Sequence, residues 1–287
     1  MANRKSFWLW LLALLLTMVL AVYQRLSGPT YPVRGTETLA GAKISYKFYR
    51  SWTSGEELPV QVIVSGDPIR AELHYRRYPL LSDENWSISP MVQKGNIYTA
   101  AIPTKPPAGK VVYKVQVING SNQLWLNHGQ PAVARFKGKV PRSLLIIHVI
   151  FMFAGLLLGI RTGLQALTKN RKLENLVFLT LAVLFLGGLI LGPLVQYYAF
   201  DALWTGFPLG GDLTDSKTLF AVLVWLGAFF LRKKSRWWVL AATVLMIAIY
   251  LIPHSLLGSE LNYQTGKIET AKEVLGSTNH LPPKVLN

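Results

Sequence analysis

Five stretches of the chain are too apolar and too free of charge to be stable in water, and they limit everything else it can become. The first, SFWLWLLALLLTMVLAVY at residues 6–23, runs 18 residues without a charge. Four more lie at residues 143–160, 176–195, 218–231 and 237–252. A helix needs roughly 20 apolar residues to cross about 30 Å of hydrocarbon, so all five read as transmembrane helices. The stretch at 218–231 has only 14 residues and must draw on its flanks or sit where the bilayer is thinned. Residues 6–23 are expected to stay as an anchor. The run is longer than a signal peptide's apolar core, and VYQRLSG lacks a small-x-small cleavage pattern.

Orientation follows from short basic segments. Arg4 and Lys5 precede the first span, Lys169, Arg171 and Lys172 stand against one Glu174 between the second and third, and Arg232, Lys233, Lys234 and Arg236 join the fourth to the fifth. With five spans these all fall on one side, the positive-inside pattern. The expected division is an N-terminal anchor at 1–23, an extracytoplasmic β-sandwich domain at 24–142, a four-helix bundle at 143–253 and an extracytoplasmic tail at 254–287.

That topology disposes of the charge. The formal net charge is +16, and segment 24–142 carries 16 Lys and Arg against seven acidic residues. A basic surface outside the cytoplasm faces anionic lipid headgroups, an acidic partner or solvent, and a nucleic-acid partner is not expected. The chain has no cysteine, which excludes disulfides, thiolate-bound zinc and a cysteine nucleophile. No nucleophile elbow, phosphate loop or zinc-protease motif occurs, so an enzyme is not the favoured expectation.

Residues 30–140 alternate apolar and polar positions in KISYKFYR, LPVQVIVSG, IRAELHYRRY, NIYTAAIP and KVVYKVQVI. Turn signals such as SGDP, QKGN, PPAG and NGSN separate them. About seven short strands without a helical period suggest an immunoglobulin/fibronectin-like sandwich. His74 and His128 read as structural, and Tyr75, Tyr78 and Trp86 as core aromatics.

Topology also gathers polar residues at the outer end of the bundle. His148 lies about 7 Å inside the second span, His254 and Glu260 follow the last one, and the loop at 196–217 brings Gln196, Tyr197, Tyr198, Asp201, Asp212, Asp215 and Lys217. An ionisable group within a span is costly and marks a functional candidate. Three chemistries could use this layer. His148 and His254 could ligate haem or a metal ion. His148 with a carboxylate could relay protons at a quinol site. Asp212, Asp215 and the carbonyls of PLGGD could hold a hard cation. The structural alternatives are a backbone hydrogen bond for His148, and capping of the fourth span by Thr214, Asp215 or Ser216. Capping by those residues leaves Asp212 unassigned, along with GFPLGG, whose glycines suit a re-entrant or tightly folded loop. Arg161 is expected to snorkel to the cytoplasmic interface, and Pro193 to kink the third span.

The stretches PRSLLIIHVIFMFAGLLLGIRTGLQAL, LILGPLVQYYAFDALWTGFPLGGDLTDSKT and YLIPHSLLGSELNY resemble a family of bacterial inner-membrane proteins. That family combines an N-terminal anchor, a fibronectin/immunoglobulin-like periplasmic domain and a four-helix membrane bundle. The resemblance implies a bacterial inner membrane, with the outer side being the periplasm, and brings no activity or site residue with it. The layout is also similar to that of the membrane insertase family, but insertases open a polar groove to the cytoplasm, whereas the polar layer here is expected at the opposite face. The leading expectation is a non-enzymatic subunit or accessory of a larger envelope or respiratory complex, partnered by the bilayer and by other membrane or periplasmic subunits. The rival is a redox or ligand-binding protein that holds haem, metal or quinol through His148, His254 and the Asp212/Asp215 loop. A transporter or insertase component is the third.

Overall fold

A computed structural model describes residues 2–79, 85–168, 173–253, 258–263, 266 and 268–270. The chain forms two units, one of Met1–Pro29 with Val140–Gly258 and the other of Thr30–Lys139 with Ser259–Asn287.

The first unit is helical: α1 (Ala2–Ser27), α2 (Arg142–Leu167), α3 (Glu174–Phe185), a π-helical segment (Leu186–Leu191), α4 (Gly192–Phe200), α5 (Leu213–Leu231) and α6 (Trp237–Leu251). α3, the π segment and α4 run on as one helix, so the described residues of this unit form five helices. Four of these are long and apolar enough to cross a membrane: Arg4–Ser27, Arg142–Leu167, Glu174–Phe200 and Leu213–Leu231. The expected short helix is not the short one. Asp212 caps α5 and lets it begin at Leu213, which gives 19 residues. α6 has 15, about 22 Å of helix. It ends where Ile252, ahead of Pro253, turns extended at φ −72° and ψ 118°, the conformation a following proline favours.

α2 carries Gly155, Gly159 and Gly163, four residues apart and so on one face. A methyl group at Gly155 would strike Leu184, at Gly159 Met246, and at Gly163 Thr243. The absent side chains therefore let α3 and α6 approach α2 closely, as helices do in lipid, where packing and interhelical hydrogen bonds replace the hydrophobic drive. Thr243 Oγ1 donates to the Gly159 carbonyl at 3.2 Å, and Trp225, fully buried, points its indole N–H at Met246 Sδ, 3.3 Å away.

The second unit is β. β1 (Val33–Leu39), β2 (Ala42–Phe48), β4 (Leu58–Ser65), β8 (Ile97–Ile102) and β7 (Val92–Lys94) form one antiparallel sheet in that spatial order. The other sheet runs β3 (Ser51–Thr53), β11 (Ala132–Lys137), β9 (Lys110–Asn119), β5 (Arg70–Tyr78) and β6 (Ser87–Pro90), with β10 (Asn122–Trp125) also on β9. Only β3 and β11 pair in parallel. The period-two pattern explains the arrangement. Ile44, Phe48, Val60, Val62 and Ile102 from the first sheet and Leu73, Tyr113, Val115, Ala134 and Phe136 from the second share one core. A small hairpin, β12 (Ser259–Leu261) with β13 (Ile268–Thr270), belongs to this unit as well.

Candidate functional site

The charged stretch before α5 is where the sequence most strongly suggests chemistry. Asp212 is the N-cap of α5, and its Oδ1 accepts the Thr214 N–H at 2.7 Å. Asp215, on the first turn, reaches sideways instead. Its Oδ2 accepts the backbone N–H of Thr205 at 2.8 Å and the Thr205 hydroxyl at 3.3 Å. The Thr205 carbonyl in turn accepts the Asp212 N–H at 2.9 Å, and Gln196 Nε2 donates to Thr205 Oγ1 at 2.6 Å. Ser216 Oγ accepts the Phe207 N–H at 3.0 Å. The loop thus lies against the helix start so closely that a methyl group on Gly206 would overlap Asp215, and one on Gly210 the Thr205 carbonyl. This is the tightly folded form of GFPLGG. It also gives the cap to Asp212, the residue that capping by Thr214, Asp215 or Ser216 left unassigned.

Lys217 turns the other way. Its ammonium donates to the carbonyls of Ile252 at 2.8 Å and Pro253 at 3.4 Å. Gln24 of α1 donates to the Tyr250 carbonyl and, at 3.3 Å, to that of Ile252. The last carbonyls of α6 therefore receive donors from α1 and α5. The cation sits at the negative end of that helix's dipole, while both carboxylates sit at the positive end of α5.

His148 Nδ1–H donates to the Gly187 carbonyl at 3.0 Å. That carbonyl also receives the Gly192 N–H, a bond one residue longer than the α-helical kind. At Pro193, where a kink is expected, the helix has a wide π segment just ahead of the proline. Proline has no N–H to return to the helix, and the extra residue absorbs the mismatch. Gly187 and Gly188 make room for Phe151 and Thr218 against it.

His254 lies outside the described residues. Glu260 belongs to the β unit, where its carboxylate pairs with the Lys110 ammonium. Glu260 is 3% exposed, and its Oε2 finds no hydrogen-bond partner among the described residues. Burial pushes Lys110 below its ordinary value, and Glu260 draws it back up. Leu261 and Tyr263 add hydrogen bonds to the carbonyls of Ala108 and Lys110. Among the described residues no three His, Asp or Glu side chains are placed to hold a metal ion.

Two further placements differ from expectation. Arg161 does not snorkel. It is 3% exposed, donates to Gln165 Oε1 at 2.8 Å and Ser6 Oγ at 3.3 Å, and lies over the Trp10 ring. The helix that carries it turns this face toward α1, so the interior offers partners at lower cost than a long reach to water. Thr162 and Thr180, 3.1 Å apart, are buried nearby on α2 and α3. Trp86 is not core. It lies half-buried between Arg76 and Lys114, and Lys114 also covers Trp125 at 3.9 Å. The His74 ring meets Trp125 edge-on, near Glu72. Tyr75 does pack against the core, and His128 sits in a short turn. The four-residue spacing of Gly155, Gly159 and Gly163 was a readable signal for the interior of the bundle.

No family model matches the chain, and no curated protein matches it.

Proposed function

We propose that the chain is a non-enzymatic polytopic membrane protein of the bacterial inner membrane, with its N-terminus cytoplasmic and its β domain and C-terminus periplasmic. In this reading it acts as a subunit or accessory of a larger envelope or respiratory complex. One observation carries the non-enzymatic part: the polar groups a reaction would need are engaged in structure. Asp212 and Asp215 hold the start of α5 and its loop, Lys217 holds the end of α6, and Glu260 holds Lys110. The membrane part is supported by four helices of spanning length and by exposed aromatics at the ends of helices: Phe7, Trp8, Trp237 and Trp238 near the basic segments, and Tyr23, Tyr197 and Tyr198 near the other ends.

The β unit is the docking domain. Its sheet orders β2-β4-β8-β7 and β11-β9-β5 correspond to the ABED and GFC orders of the immunoglobulin fold, which supports the sandwich reading. Such domains commonly bind or brace a partner.

A second reading, a transporter or insertase component, draws on Arg161. A cation buried inside a bundle is expensive, and neither of its hydrogen-bond partners, Gln165 and Ser6, is an acid.

The test uses protein purified from native membranes in mild detergent. Fixed, stoichiometric protein partners and a colourless preparation support the subunit reading, whereas a haem spectrum or near-stoichiometric metal overturns it in favour of a cofactor site. Substrate-dependent flux in proteoliposomes, lost in Arg161→Ala, would favour the second reading. Because the chain has no cysteine, single cysteines replacing Glu56 and Lys233 report sidedness directly. An impermeant maleimide should label the first from outside and not the second.

A further inference from the structure

The loop at 201–212 meets two requirements that a water-exposed loop does not share. First, its side chains are apolar where they are most exposed: Phe207 is 60% and Leu209 79% exposed, and no charge occurs between Asp201 and Asp212. Second, its polar groups are largely satisfied from within. The backbone N–H groups of Thr205, Phe207, Leu209, Gly210 and Asp212 donate to Asp215, Ser216, Gly206, Gly206 and Thr205. The Trp204 indole donates to the Phe207 carbonyl at 3.1 Å. Asp212 and Asp215 are buried at the helix start, and Asp201, at the end of α4, is exposed. Backbone that leaves water must bond to itself or to its own protein, because hydrocarbon offers no partner.

The position fits the same demand. The loop joins the end of α4, where Tyr197 and Tyr198 are exposed, to the first turn of α5, so it lies at the level where spanning helices leave the hydrocarbon. A surface of this kind, internally bonded and without charge from 202 to 211, suits lipid better than a folded protein, for which a charged or polar rim would be expected.

We propose that residues 203–209 are a membrane-interface wedge whose Phe207 and Leu209 enter the boundary between lipid headgroups and acyl chains. This rests on the reading that the helices span a membrane. Bonding to α5 keeps the wedge rigid, so it also fixes the depth and tilt of the α4–α5 connection in the leaflet.

The experiment places a nitroxide spin label on single cysteines in the full chain, reconstituted in phosphatidylcholine vesicles. Leu209→Cys is the test, Val244→Cys, exposed midway along α6, the lipid control, and Glu56→Cys on the β unit the aqueous control. At position 209, relaxation by oxygen should exceed relaxation by a water-soluble nickel chelate, at a depth of roughly 5–10 Å below the phosphates. A lipid signature at 244 with an aqueous one at 209 overturns the wedge and leaves the spanning helices intact. An aqueous signature at 244 removes the membrane reading, and the wedge with it. Shielding of 209 from both reagents would place a second copy of the chain there and overturn the lipid assignment.

Discussion

The two units of this protein differ most in what they leave exposed. In the β unit, aliphatic and aromatic side chains from both sheets fill the interior, and most charges stay on the outer faces. In the helical unit the interior holds glycines, threonines, Gln165 and Arg161 beside Leu156, Leu184, Trp225 and Met246, while Phe178, Phe230, Val244 and many other large apolar side chains face outward. A hydrophobic core is what water demands of a fold. An apolar exterior over an interior that also admits glycines, threonines and a cation is what a hydrocarbon surrounding allows, since there close packing and hydrogen bonds distinguish the inside from the outside. On the proposed membrane reading, the difference matches each unit to its own solvent, water for the β unit and hydrocarbon for the helical one.

The largest test of that contrast concerns a charge pair that the β unit does bury, Lys110 with Glu260. Glu260→Gln leaves the Lys110 ammonium enclosed without its carboxylate and should cost about 3–5 kcal/mol, whereas Lys110→Met combined with Glu260→Leu should recover most of the loss. Denaturant unfolding of the β unit followed by near-ultraviolet circular dichroism reads both. If the single and double variants are equally unstable, the pair is not what holds the segment in place.

In the helical unit the corresponding test is volume. Gly163→Leu should destabilise the bundle by about 1–3 kcal/mol through overpacking against Thr243, while Gly227→Leu, whose added side chain meets open space, should be close to neutral. Unfolding in mixed detergent micelles separates them, and equal effects would contradict the close packing described for α2 and α6.

Asp212→Ala removes an N-cap and should cost about 1 kcal/mol, with faster hydrogen exchange at Thr205 and Thr214 as the local sign. Unchanged exchange there would remove the link between the cap and the loop.

The smallest expected effect is a pH dependence confined to the β unit. Burial lowers His74 below its ordinary value of 6.5. Between its folded value and 6.5 the unfolded chain binds more protons, so stability falls as pH drops through that window and levels off below it. His74→Phe should flatten the acid side of a stability–pH curve, and a slope that survives would assign the proton to another group.

Much of this was legible in the sequence because it is periodic. Alternation along KISYKF and KVVYKVQV marked strands now found as β2 and β9, and uninterrupted apolar runs marked the helices. Residues whose role depends on a partner far along the chain were harder to read. Glu260 and Lys110 are 150 positions apart, and no local pattern announces their pairing. Arg161 looked like an interfacial cation because its own helix says nothing about Ser6 and Trp10 on α1. Asp212 was hidden by its neighbours: any of four polar residues in DLTDS could cap, and only the path of the preceding loop decides among them.

The pairing of Lys110 with Glu260 has a consequence in the order of synthesis. When the ribosome has made Lys137, both sheets have all their strands, yet Lys110 still lacks its acid. Every residue of α2 to α6 must be made first, which at typical elongation rates takes on the order of ten seconds. The helical unit is therefore laid down while the β unit is still incomplete. The strand at Ser259–Leu261 then serves as a completion mark, neutralising Lys110 only in chains whose last helix has already been made.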